Sequence, residues 1–198
     1  ILVGLIQGSI NAWRQEFTSD IIVSTLDDKK YIDNSPNLVA LLRTFPEIEA
    51  ISPRYSEGVT LEANYKTRKD TDKPDVAGAQ IFGIDPVSEN AVTALGSKIM
   101  EGSYLLPGDY DQIIIGLFML SQYVPVDDPN FASLDKVKVG TKIRIKVGEV
   151  TREVTVKGII DSKVDALTRN VFMVDSQLRS MGDEMPWPNV TTKEVSDI

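Results

Sequence analysis

Four groups of residues in this sequence have types and spacing that can do chemistry. Ser133 and Lys136 stand as S-x-x-K, a spacing that on a helix sets a lysine one turn from a serine hydroxyl and activates it as a nucleophile. The motifs that accompany such a pair in β-lactamase-type enzymes are absent, so the spacing reads as chance. Asp70, Asp72 and Asp75 cluster carboxylates as a calcium loop does. The turn glycine of such a loop is missing, and its twelfth position is Ile81 in place of a bidentate glutamate, so solvated loop charges are expected. Asp109 and Asp111 are a carboxylate pair, but nearness in sequence does not set two carboxyls across a sugar ring, and a turn is expected. Asn189, Val190 and Thr191 form an N-glycosylation acceptor, which has chemical meaning only where exported proteins are modified.

Missing residue types narrow the chemistry further. The chain has no histidine and no cysteine. This removes the commonest general base near neutral pH, the commonest zinc ligand, thiolate catalysis and disulfides. No glycine-rich run followed by Lys and Ser or Thr is present to wrap a phosphate, and no G-x-G-x-x-G follows a strand. No catalytic, cofactor-binding or metal-binding residue is therefore assigned, and the chain is not expected to be an enzyme. Its 29 acidic and 21 basic residues give a net charge of -8, opposite in sign to what phosphate neutralisation needs, so nucleic acid is excluded as a partner.

The elements that must position these groups are legible from periodicity. With 198 residues, 42% of them hydrophobic, the chain can bury a sizeable core in one domain or two joined subdomains. Residues 1–6 are all apolar or glycine, and Leu2, Ile6, Ile10, Trp13 and Phe17 recur at helical spacing, which predicts an amphipathic helix leaving a membrane over 1–19. Gly4 and Gly8 would let another helix approach it. Residues 20–25 (DIIVST) read as a strand buried on both faces. Ser35 and Pro36 read as cap and first residue of a helix with a buried stripe of Leu38, Val39, Leu41, Leu42 and Phe45, ended by Pro46. Residues 47–63 read as extended, with Ile48, Ala50, Val59 and Leu61 in the core and Pro53 and Gly58 marking an edge or bulge. Strand, helix and strand form a first unit.

Residues 64–75 are the most polar stretch and are expected to form an exposed, mobile loop. A strand follows over 76–84, and Asp85 and Pro86 open a helix running through Val92 and Leu95 to Gly96. Residues 112–115 read as a buried strand, and Gly116 leads into a short helix carrying Leu117, Met119, Leu120 and Tyr123. Ile143, Ile145 and Val147 alternate with charged residues, Gly148 and Glu149 turn the chain, and Val154 and Val156 alternate again, which predicts an antiparallel hairpin with one wet face. A strand over 170–174 and a short helix over 176–180 precede a Pro-rich segment around Trp187.

In this order the segments resemble the extracytoplasmic core domain of ABC transporter permeases of the MacB, LolC and FtsX type, over nearly the whole chain. The resemblance is carried by DIIVST after the membrane-exit helix, by PEIEAISPRYSEGVTL at 46–61, by IFGIDP at 81–86 and by IMEGSYL at 99–105. IIIG at 113–116, VKVGTKIRIK at 137–146, VTVKGII at 154–160 and NVFMV at 170–174 complete it.

The resemblance implies an α+β fold with mixed sheets. A stalk helix over 1–19 would lead to a βαβ-containing membrane-proximal lobe, 20–63 plus 170–198, into which a β-rich lobe, 64–169, is inserted. It implies a cell-membrane protein's extracytoplasmic (periplasmic or extracellular) domain that couples ATP-driven motion to handling of an exported or extracted substrate. Its implied partners are an ABC ATPase subunit or domain, a second permease copy or paralogue forming a dimer, and an extracytoplasmic adaptor or lipoprotein. The alternative, from the FtsX branch, is a signalling or scaffold domain that activates an extracellular partner. The family adds a further strand and helix after the segment that here reads EVSDI. Two surfaces are candidates for partner contact: the loop residues Tyr65, Lys66, Arg68, Lys69 and Lys73, and the apolar segment 117–123. The bland readings, solvated loop for the first and core for the second, are preferred.

Overall fold

The computed structural model describes residues 21–25, 29, 31–124, 132–182 and 196–197. Its elements begin with β1 (Ile21–Ile22), α1 (Ser35–Leu42), β2 (Arg54–Glu62), β3 (Val76–Ile84), α2 (Pro86–Thr93), β4 (Ile99–Gly102) and β5 (Gln112–Gly116). They continue with β6 (Lys142–Val147), β7 (Val150–Ile160), α3 (Asp165–Thr168), β8 (Val171–Val174), α4 (Asp175–Arg179) and β9 (Ser196–Asp197). Seven strands form one mixed sheet in the order β4-β7-β5-β8-β3-β2-β6. Because β6 pairs again with β7, the sheet closes into a barrel that carries β4 as an added strand. β1 and β9 make a separate antiparallel pair, Ile21 opposite Asp197.

Each strand's pattern follows from its place in that barrel. Ile143, Ile145, Val147, Val154 and Val156 point inward along the β6–β7 hairpin and are buried, while their neighbours face water, which gives the period of two. β5 and β8 are covered on both faces. Ile113, Ile115, Val171 and Met173 line the interior, while Ile114 and Phe172 join an outer cluster with Phe82, Ile84, Leu95 and Leu167. That double burial explains why QIIIG and VFMV are unbroken apolar runs. α4 adds Leu178 and the following turn adds Met181 to the interior cluster. Gly83 permits this, since a Cβ there would lie 3.1 Å from the Asp175 backbone and 3.2 Å from Leu178.

The fold is mixed α/β with a mixed sheet and few helices, and several finer expectations are corrected. β2 and β8, expected in the membrane-proximal lobe, belong to the same sheet as β3–β7, so boundaries at 63/64 and 169/170 would cut through one barrel. β1 and β2 lie in different sheets, and they form no βαβ unit among the described residues. Outside the barrel's two clusters lies a small third one, in which Val39 and Ile51 pack with Val23, Leu42 and Ile48. The strand expected over 20–25 is described as Ile21–Ile22 only, and these side chains are 55% and 46% exposed instead of buried. Among the described residues β1 pairs with β9 alone, and such a ribbon has no further strand to bury them against.

In α1, Ser35 is itself helical and buried, and the cap position is Asn34 in the left-handed region with φ 56°, making no side-chain cap bond. Leu41 and Phe45, assigned to the buried stripe, are exposed. α2 starts as expected, with Asp85 Oδ1 accepting from the Ser88 N–H at 2.8 Å, but it ends at Thr93, where Ala94 turns left-handed at φ 52°. Gly58 pairs with Gln80 in unbroken register, and the irregularities fall instead in the β4–β7 and β5–β7 ladders. The short helix expected after Gly116 is two 3-10 turns, Leu117–Met119 and Ser121–Tyr123. The helix expected over 1–19 with Gly4 and Gly8, the segment around Trp187 and the acceptor Asn189 lie outside the described residues.

A close backbone approach occurs at Gly116, the last residue of β5, where a Cβ would overlap the Thr168 carbonyl at the end of α3. The Gly116 N–H donates to the Asn170 carbonyl at 2.9 Å, so neither segment can retreat without breaking the β5–β8 connection. Gly116→Ala is expected to destabilise the chain by about 2–4 kcal/mol, read as a lower urea midpoint. Gly108→Ala, where nothing lies near the added methyl, is the control and is expected to leave the midpoint in place.

Candidate functional site

Two loops meet at one end of the barrel. Residues 63–75 join β2 to β3, and residues 132–141 lead into β6. Between them lies a groove of ≈ 750 Å³ lined by Asn64, Lys73, Asp75, Ser133, Asp135 and Lys136 over Val76 and Val137. Asn64 holds the first loop closed: its Nδ2 donates to the Lys73 carbonyl at 3.1 Å, and its Oδ1 accepts from the Asp75 N–H at 3.0 Å. Asp75 ties the loops together, its Oδ2 accepting from the Asp135 N–H at 3.0 Å. Burial pushes the Asp75 carboxyl above its ordinary value, with Asp135 and Glu62 adding to the rise and the Asp135 amide opposing it. The second loop is anchored to the core by Leu134, whose N–H donates to the Met119 carbonyl at 2.8 Å and whose carbonyl accepts from the Ser121 N–H at 3.0 Å.

This geometry disposes of the S-x-x-K spacing as a helical pair. Leu134 sits in a bridge with Leu120, and Lys136 is left-handed at φ 57°, so Lys136 is not one helical turn from Ser133. Both nevertheless line the groove. Of the calcium-like aspartates, Asp72 accepts from the Lys69 N–H at 3.0 Å and Asp75 faces the Asp135 amide, and no metal-binding group of His, Cys, Asp or Glu occurs among the described residues. Asp109 accepts from the Leu106 N–H at 2.6 Å and pairs with Lys157, which is the turn expected there.

The five loop residues proposed for partner contact separate into two sets. Tyr65 donates to Glu153, and the Arg144 guanidinium lies 5.1 Å from its ring centroid. Lys66 pairs with the same Glu153, and Lys142 reaches it at 3.0 Å. Arg68 pairs with Glu62 at 3.5 Å, and Arg144 shares that carboxylate. These three side chains therefore bind the loop to the barrel wall. Hydrogen bonds from Lys66 and Tyr65, and then from Lys142, hold the Glu153 carboxyl down to about 2. Lys69 and Lys73 are exposed, and Lys73 lines the groove. The segment 117–123 is core at Leu117, Met119 and Leu120, all buried.

Sequence reasoning missed the most deeply buried charges. Arg54 opens β2 and Glu89 lies on α2, 2% and 0% exposed, with Arg54 Nη2 donating to Glu89 Oε1 at 2.8 Å and Nε to Oε2 at 3.0 Å. Ser52 and Thr93 hydroxyls donate to the same carboxylate at 2.6 and 2.8 Å. Burial alone would raise the Glu89 carboxyl, but Arg54 and the two hydroxyls outweigh it and hold the carboxyl below its ordinary value. A charged residue at each position was the available signal, and nothing in the spacing joins them. With every acceptor site filled and no groove-lining role, this cluster pins α2 to the start of β2.

No protein-family model matches the sequence, and no curated protein does. Among solved structures, the chain is similar to the periplasmic region of MacB from Actinobacillus actinomycetemcomitans, with a TM-score of 0.54 and 14% sequence identity. The match covers 89% of this chain and 72% of that chain. The two share a fold. At that identity the likeness extends to the architecture alone. No helix among the described residues is long and apolar enough to cross a membrane.

Arg54→Met leaves Glu89 buried without its counter-charge and is expected to cost about 3–5 kcal/mol in urea unfolding, whereas Arg54→Met with Glu89→Leu recovers most of the loss. Because the folded carboxyl of Glu89 is depressed, its stabilisation is present above the unfolded value of 4.5 and is lost as pH falls through the folded value. The wild type should accordingly lose more stability than the double variant between neutral pH and acid. At the barrel wall, carboxyl NMR should show Glu153 ionised to well below pH 4, and Lys66→Ala should raise its midpoint.

Proposed function

We propose that this chain is the extracytoplasmic domain of an ABC transporter permease, coupling ATP-driven motion to the handling of an exported or extracted substrate. The fold shared with the MacB periplasmic region over 89% of the chain carries the reading. Two physical features support it. A barrel closed by the β6–β7 pairing, with α2 fixed on β2 by the buried Arg54–Glu89 pair, is suited to move as a rigid body, as a domain driven from a membrane does. β1 and β9 are hydrogen-bonded side by side, which brings residues 21–22 and 196–197 together, as a domain held at one place would require.

In this reading the domain carries no catalytic step. It lacks histidine and cysteine, and ATP would be hydrolysed by a separate cytoplasmic domain or subunit. A second permease copy or paralogue and an extracytoplasmic adaptor or lipoprotein are the corresponding partners.

The test uses a single introduced cysteine, since these 198 residues contain none and any cysteine elsewhere in the full-length product can first be replaced by serine. Glu149, at the tip of the β6–β7 hairpin, has a side chain 94% exposed. In the full-length gene product, Glu149→Cys should react with a membrane-impermeant maleimide in intact cells as fully as after lysis. Labelling only after lysis would refute the assignment. Co-purification with an ATP-hydrolysing subunit or domain, and loss of export when that ATPase is inactivated, is the second expected result.

A further inference from the structure

The groove between loops 63–75 and 132–141 has an electrostatic feature that the permease reading does not use. Most described cations have a carboxylate partner: Lys66 and Lys142 share Glu153, Arg68 and Arg144 share Glu62, Lys157 pairs with Asp109 and Arg179 with Asp175. Lys73 and Lys136 line the groove, as do Asp75 and Asp135. Among the described residues, neither lysine has an ion-pair partner, although carboxylates line the same cavity. Residues of both charge signs thus line one space without pairing with each other. The walls that hold them apart are pinned. Asn64 closes one loop, Leu134 anchors the other to the core, and the Asp75–Asp135 bond joins the two.

At an exposed site an ion pair gains little over the side-chain entropy that it costs, so lysines and aspartates can line one groove and stay open to a ligand. In this groove no such pair forms among the described residues. Asp75 is turned towards the Asp135 amide, and Lys136 is held left-handed at φ 57°. An ordered space with opposite charges on its walls and aliphatic contacts from Val76 and Val137 below complements a small molecule that carries an ammonium and an anion on one short apolar frame. The volume lies in the range of small-ligand sites.

We propose that this groove binds a small zwitterion, its ammonium held by Asp75 and Asp135 and its carboxylate or phosphate by Lys73 and Lys136. Two sources share that chemistry, a short peptide with free termini and an aminoalkyl phosphate headgroup. The inference stands on the groove alone, so it survives or fails independently of the transporter reading.

Backbone amide NMR of the whole chain, titrated to about 10 mM ligand, tests it. The probes are trialanine, trialanine blocked by acetyl and amide groups, and glycerophosphoethanolamine. Saturable shifts at 64, 73, 75 and 133–137 with trialanine, abolished by blocking both termini, would identify a peptide-type ligand. The same shifts with glycerophosphoethanolamine alone would identify the headgroup. Lys73→Gln with Lys136→Gln should weaken either binding by at least about tenfold, and Asp135→Asn, which keeps the backbone donor, should weaken it too. No saturable shift with either zwitterion, or equal binding of the blocked peptide, overturns the proposal, and both of these readouts need only the wild-type chain.

Discussion

β7 runs for 11 residues and serves two neighbours along one edge, β6 over Val150–Thr155 and β4 over Gly158–Ile160, with β5 along the other edge. This double service closes the sheet. A flat sheet of seven strands would leave two long edges and an uncovered face, whereas closure pairs most of the edges and gathers the apolar faces around one interior. Closure also sets local demands. The β5–β7 ladder shifts register between Ile113 and Ile114, so that Ile113 faces Val156 and Ile114 faces Gly158. Gly158 fits there because a Cβ would press on the Ser103 carbonyl at 2.7 Å, and Gly116 fits because α3 crosses directly above it.

The charges follow from the same closure. An acidic chain folded around an apolar barrel has to place its carboxylates outside, and Glu62 and Glu153 stand on the outer wall where β2, β6 and β7 meet. Around them gather Arg68, Arg144, Lys66 and Lys142, with Tyr65 lying against Arg144. These pairs are partly exposed, and each contributes little to stability on its own. Their effect is positional: they set the 63–75 loop against the barrel and leave Lys73 turned towards the groove. Arg54 and Glu89 differ in kind, since their burial makes the pair costly to break and fixes α2 on β2.

The likeness to the MacB periplasmic region concerns the fold alone, and the groove concerns recognition. Recognition depends on side chains, and folds host many different sites. At the groove, the side chains and the loop geometry belong to this chain, and the opposed charges there are independent of what the barrel as a whole is attached to.

Much of the barrel was legible in the sequence. Alternation in KIRIKV and VTREVTV marked the β6–β7 hairpin, the unbroken runs IIIG and VFMV marked strands, and Asp85-Pro86 marked the start of α2, because periodicity and capping are local properties. The lobe boundaries were not legible, since β2 and β8 look the same whether they pair with each other's neighbours or with a second sheet. Burial of the apolar residues in 20–25 and 38–45 also went beyond local pattern, because an apolar run states what a segment can bury and not what lies opposite it. The groove shows the difference most sharply. The sequence by itself determined that 64–75 is polar and that Ser133 and Lys136 are three residues apart. Only the tertiary structure brought Lys73, Asp75, Asp135 and Lys136 to one cavity, because contacts across 60 residues, such as Asp75 with the Asp135 amide, arise from strand pairing and leave no mark on spacing.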